Sequence, residues 1–209
     1  MKRISFIVIL LSVFLIVSCS KAAMSDSRVL RYMKSVAQPA PTTKITSIGL
    51  SESEQAASLA LRKSAFNMLD ALYAGETMCF SPLSVQTALA MVAEGTEGQT
   101  RKEILDFLGG ESMSSVDIAS YCNKYLSGMP ALNLNAKMKI CNALVFNSDN
   151  CTVNPGYERT MEKSFYAPCV ERSFSNPQKV LDLVNDWVSE STEGKIPYIL
   201  DQVRESDLA

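Results

Sequence analysis

Cys19 is the residue of this chain best placed for covalent chemistry. It follows Ile16-Val17-Ser18 at the end of an apolar run, Ile4 to Val17, that is preceded by the basic pair Lys2 and Arg3. A basic n-region, an apolar h-region and a small residue at the cut are the parts of a secretory signal. Ser18 directly before Cys19 has the form of a bacterial lipobox, in which the cysteine becomes the lipidated first residue. The fourteen residues of that run rise only about 21 Å as a helix, short of a ~30 Å hydrocarbon core. Residues 1–18 are therefore expected to be a signal peptide. Each buried CH₂ of an acyl chain contributes about 0.8 kcal/mol, so multiple acylation of Cys19 would hold the chain on a membrane. An ordinary signal peptide cut near Ser18 is the simpler alternative.

Few other residues are arranged for chemistry. The chain has no histidine and no GxSxG, so a serine hydrolase lacks both its base and its nucleophile turn. Carboxylates are scattered along solvated helix faces, and no glycine loop is built to cradle phosphate. No catalytic residue and no cofactor is expected. Beyond Cys19 stand Cys79, Cys122, Cys141, Cys151 and Cys169, an odd and irregular set without a CxxC pair. A zinc site is not expected from it, and no other metal is. Cys79 and Cys141 fall in apolar runs and read as buried, and an oxidising envelope would allow a Cys141–Cys151 bridge. Asn150-Cys151-Thr152 is a glycosylation sequon, read as incidental beside a lipobox. Beyond residue 18 the chain carries 18 basic against 22 acidic side chains and no basic run longer than two. A nucleic-acid partner is not expected.

Organisation follows from periodicity. Ser20 to about Gly49, with Pro39, Pro41 and many Ser and Thr, reads as a flexible tether; a short helix around Val29 to Val36 is the alternative there. Cys19 and this tether together make up 19–50, and a folded domain is expected over 51–209. Leu61, Ala65, Phe66, Met68, Leu69 and Leu72 place a helix over Ser53 to Tyr73. Met78-Cys79-Phe80 reads as a short buried strand. Ser81-Pro82 opens an apolar helix, and Thr100 with Glu103 reads as the capping box of the next, which Gly109-Gly110 ends. Gly95 and Gly98 read as turn glycines between the two. A helix over Ser115 to Leu126 precedes an alternating strand, Leu132 to Ile140, which continues as apolar Cys141 to Phe146. Asn154-Pro155 and Asn176-Pro177 cap helices over Pro155–Ser164 and Pro177–Glu190, the latter with Val180, Leu181, Val184, Trp187 and Val188 inside. A short strand over Ala167 to Phe174 lies between them.

Phe80-Ser81-Pro82-Leu83-Ser84, Ala88-Leu89-Ala90-Met91, Gly95 and Gly98-Gln99-Thr100-Arg101-Lys102-Glu103-Ile104 together resemble the helix B–helix C region of serpins, a family of mostly protease-inhibiting proteins. Cys141 to Phe146 is similar to strand 2A of that family. Tyr157, Phe165, Tyr166 and Ala167 are similar to helix E running into strand 1A. Phe174, Val184-Asn185-Asp186-Trp187-Val188 and Thr192-Glu193-Gly194-Lys195-Ile196 are similar to helix F and its exit. Order and spacing agree from about Ser53 to Leu200. Thr77 stands where the family usually has Asn, and Thr96 where it usually has Ala.

The resemblance implies an α+β serpin fold in its N-terminal part: helices A–F with strands 6B, 2A and 1A, and an incomplete sheet A. A complete serpin runs to roughly twice the matched length, so strand 3A and the reactive-centre loop are expected to lie outside this sequence. It implies inhibition of a serine or cysteine protease, in which the cleaved loop inserts into sheet A. Loop insertion is a known instance of strand addition and of stored strain released. By resemblance Ser81 and Ser84 match shutter positions and Asn185 matches a position facing sheet A; their plain role is cap and buried polar contact. No reactive bond is present. The expected partners are a target protease and, through lipid on Cys19, a bacterial envelope membrane. These 209 residues alone are expected not to inhibit. The alternatives are a non-inhibitory serpin-like lipoprotein or interaction fragment, and an unrelated surface lipoprotein.

Overall fold

Five of the described helices begin at a Ser or Asn whose side chain accepts a backbone amide of the first turn, and this largely fixes where those elements start. The computed structural model describes residues 25–109, 113–136 and 138–207. The signal segment, Cys19 and Gly110 lie outside the described residues. The element order is α1 (Asp26–Val36), α2 (Glu52–Leu72), α3 (Pro82–Glu94), α4 (Gly98–Leu108), α5 (Ser115–Leu132), β1 (Leu144–Asn147), α6 (Pro155–Phe165), β2 (Cys169–Arg172) and α7 (Pro177–Ser191). The chain forms two compact units.

Residues 37–142 and 154–167 form the helical unit. Ser51 and Glu54 make a reciprocal capping box at the head of α2. The buried stripe of α2 is Glu54, Ala57, Leu61, Ser64 and Met68, a helical spacing that includes two polar residues. Phe66, Leu69 and Leu72, expected in the core, are exposed instead, Phe66 by 73%. They are apolar residues on the wrong side of the true stripe. Val85 and Val92 of α3 are likewise exposed, while Ala90, Met91 and Ala93 are buried with Leu108 of α4. Phe107, next to Leu108 in sequence, is exposed. Met161 and Phe165 of α6 are fully buried.

Several boundaries differ from the sequence reading. α4 begins at Gly98 with Glu97 as its cap and no side-chain bond, so Thr100 already lies inside the first turn and the expected capping box is not made. α5 runs on through Pro130 to Leu132 rather than stopping at Leu126. Gly128 is needed within it, because a Cβ there would lie 2.7 Å from Ile48 Cγ1. Residues 138–143 and 78–80 are irregular rather than strands. Alternation makes a strand only where a neighbour takes the backbone amides and carbonyls, and no described strand pairs with either stretch. Cys79 and Cys141 are exposed, not buried, for the same reason. Cys141 and Cys151 are not joined, so the Cys141–Cys151 bridge is not formed.

Residues 25–36, 143–153 and 168–207 form the second unit. β1 and β2 pair in parallel, Leu144 opposite Cys169 and Asn147 opposite Arg172. Parallel strands need a long crossover, and the intervening chain contains α6. α7 buries Val180, Leu183, Trp187 and Val188. Leu181 and Val184, expected inside, are only half-buried, and Leu183 takes the place of one of them. Within the expected tether the alternative holds: α1 is an ordered helix, with Val29 and Met33 buried in the cluster formed by Val170, Leu183, Trp187 and Val188. Those two residues override the polar composition around them. Ile45, later in the same stretch, donates its amide to the Ala131 carbonyl at 3.0 Å.

Candidate functional site

Ser81 and Ser84 stand at the head of α3 because Pro82 fits the first helical position and Ser81 can serve as its cap. Ser81 Oγ accepts the Ser84 amide at 3.2 Å and the Ser84 hydroxyl at 2.9 Å. Both serines are exposed, so the contact is not the buried one expected: at the head of α3 they face solvent. Their observed work is to close the helix end, the plain role. One turn further, buried Gln86 donates Nε2 to the Leu61 carbonyl at 2.6 Å and ties α3 to α2.

Asn185 lies on α7, where it makes its bonds within its own unit. Its Nδ2 donates to the Leu200 carbonyl at 2.9 Å. Its Oδ1 accepts the amides of Ile199 at 3.0 Å and Leu200 at 3.1 Å. Three backbone groups are thus clasped by one amide side chain. Thr192 turns the chain toward that clasp: its Oγ1 lies 2.9 Å from the Val188 carbonyl and accepts the Ile196 amide at 3.0 Å. Glu193 and Gly194 follow with φ of 56° and 75°, the left-handed geometry that reverses a chain after a helix. Ser81 and Ser84 are brought together; Asn185 instead holds the segment beyond α7.

Other polar residues carry more than the sequence suggested. Asn147, fully buried at the end of β1, uses all four of its polar positions. Nδ2 donates to the Glu205 and Asp207 carbonyls, both at 3.0 Å, and Oδ1 accepts the Asp149 and Phe174 amides. Glu54 is 3% exposed, yet its carboxylate accepts from Ser120 Oγ, Lys124 Nζ and the Ser51 amide at 2.6, 2.6 and 2.7 Å. Those donors, Lys124 foremost, hold its pKa down at about 2. Its partners lie up to 70 residues away in sequence, so only the cap at Ser51 was open to local reading. Burial pushes the Cys122 thiol up to about 12, which makes it inert. Among the described residues no cluster of His, Cys, Asp or Glu is spaced to hold a metal ion. No described helix is long and apolar enough to cross a membrane.

Gly95 closes α3 with an ordinary φ of −95°, so turn geometry does not explain it. A Cβ there would meet Tyr157 Cε2 at 2.9 Å, and the Tyr157 hydroxyl donates to the Met91 carbonyl at 3.1 Å. The glycine makes room for that ring. Gly98, at φ 60°, does need its conformational freedom. Asn142 donates to the Phe165 carbonyl at 2.9 Å and ties the approach to β1 to the end of α6.

The segment that joins these features is also the one that matches known proteins. A family model described as Serpin (serine protease inhibitor) covers residues 57–209. The chain belongs to the serpin family. Iripin-1 of Ixodes ricinus is 30% identical over 135 residues, 63% of this chain and 34% of that protein. Human neuroserpin is 30% identical over 131 residues, 63% of this chain and 32% of that protein. This serpin chain thus spans about a third of the length of the curated relatives it matches. Among solved structures, a thermophilic serpin, Tengpin, in the latent state aligns with a TM-score of 0.63 at 23% identity, over 77% of this chain and 42% of that one. A loop C-sheet serpin polymer aligns with a TM-score of 0.64 at 20% identity, over 82% and 44%. At those identities the likeness speaks to the fold alone, and the α+β serpin fold in part is what it bears out.

Proposed function

We propose that this serpin chain is the scaffold portion of an inhibitor that traps a serine or cysteine protease by loop cleavage and insertion into sheet A. The observation that supports it most is the family match over residues 57–209, which runs from α2 past the Asn185 clasp. In this reading β1 and β2 are strands 2A and 1A, and α7 is helix F. In this reading the 209 residues alone do not trap a protease. Ser81 and Ser84 keep their cap role, and Asn185 fixes the return from α7 toward the next strand of the sheet.

The chain is further read as a bacterial envelope lipoprotein, cleaved after Ser18 and acylated on Cys19. That reading rests on the Ser18-Cys19 junction behind a fourteen-residue apolar run. The test for inhibition is residual activity. Trypsin-, chymotrypsin-, elastase- and papain-type proteases are incubated with the 209-residue chain and with a chain carried on through a reactive-centre segment. Only the longer one should inactivate a protease irreversibly; inactivation by neither refutes the inhibitor reading. For the anchor, labelled palmitate should enter the wild-type chain and not Cys19→Ser. Equal labelling of both would remove the anchor.

A further inference from the structure

We propose that the unit built from β1, β2 and α7 carries a docking face for a short amphipathic helix, and that α1 is its ligand in cis. α1 precedes residues 57–209, so it stands outside the family match, and its docking face lies more than a hundred residues further along the chain. It spans 11 residues. A helix of that length is marginal alone in water, so contact with the rest of the unit is what supports it.

The contact has a definite chemistry. Val29 and Met33, one turn apart, are 2% and 0% exposed and join Val170 of β2 with Leu183, Trp187 and Val188 of α7. Leu30 and Tyr32 pack at the margin. At one end Lys34 Nζ meets Glu190 Oε2 at 2.5 Å; at the other Asp26 Oδ1 lies 3.9 Å from Arg172 Nε. Apolar anchors at i and i+4 between an acid at the start and a base at the end give the face one polarity and one register. Ser27, Arg28, Arg31 and Ser35, on the other side of α1, are exposed. Beyond α1 the chain runs to Leu50 without helix or strand and includes Pro39 and Pro41, so α1 can leave its seat without unravelling a neighbouring element. Any helix with the same four features should occupy the same face.

Trp187, the only tryptophan of the chain, sits in the docking cluster and reports on it. In the full chain, Val29→Asp with Met33→Asp should shift the Trp187 emission to the red and make it accessible to acrylamide. A synthetic peptide of residues 25–38 added to that variant should restore the wild-type spectrum, and the same peptide carrying both substitutions should not. Lys34→Glu should raise quenching, and Lys34→Glu with Glu190→Lys should lower it again. Identical emission and quenching in wild type and the double variant overturns the proposal. So does a folded double variant on which the peptide has no effect. If the double variant fails to fold, by loss of its far-UV helical signal, the charge pair decides, and absence of rescue overturns the proposal. None of these readouts depends on protease trapping, so the inhibitor reading and the docking face stand or fall separately.

Discussion

Replacing Asn185 with alanine tests whether one side chain holds the segment beyond α7. The substitution removes one donor and two acceptor contacts, at 2.9, 3.0 and 3.1 Å, from the backbone of Ile199 and Leu200. A net hydrogen bond contributes about 0.5–1.5 kcal/mol. Ile199 is exposed and Leu200 half-buried, so water replaces part of what is lost. The sum then falls near the lower end, at about 2 kcal/mol for the three bonds together. That is a factor of about 30 in the local opening equilibrium. Amide hydrogen exchange reads it directly: Ile199 and Leu200 should lose about 30-fold in protection, with β1 and β2 much less affected. Asn185→Asp separates the two halves of the clasp. Its carboxylate still accepts both amides but cannot donate to the Leu200 carbonyl, so protection should fall by less. Unchanged exchange at both amides in Asn185→Ala would refute the clasp.

The Glu54 carboxylate is held down at about 2 against an ordinary 4.5. Its contribution is therefore complete above about pH 4.5 and is lost as pH falls toward 2; urea midpoints should fall over that window in wild type and less steeply in Glu54→Gln. Gly95→Ala places a Cβ 2.9 Å from the Tyr157 ring and should destabilise by about 1–3 kcal/mol, read as a lower thermal midpoint. A thiol reagent should modify Cys79 and Cys141 quickly and reach Cys122 and Cys169 only on unfolding, since the first two are exposed and the others buried.

The order of helices was legible because caps and prolines are local signals. Ser81, Asn154 and Asn176 each precede a proline and stand where a helix begins. What could not be read is what depends on a distant partner. Leu132 to Ile140 alternates correctly for a strand, but alternation does not supply the neighbouring strand that makes one. Phe66 and Leu72 are as apolar as Leu61 and Met68, yet the stripe that faces the core runs through Glu54 and Ser64, which a count of hydrophobic residues skips. Val29 and Met33 were hidden in polar surroundings because their partners lie at 170 and 183–188. At the candidate site, Ser81 and Ser84 declared themselves through Ser81-Pro82. The clasp of Asn185 and two of the four bonds of Asn147 reach into the segment after α7, which has no periodicity of its own.

Covalent trapping is the centre of the functional account, and the mass of the species formed with a protease tests it most directly. The 209 residues and a chain continued through a reactive-centre segment are each mixed with a protease and resolved under denaturing conditions. An acyl-linked adduct with the summed mass of protease and cleaved inhibitor should form with the longer chain and be absent with the shorter. An adduct with the 209 residues alone, or none with either chain across the serine and cysteine proteases, would contradict the account.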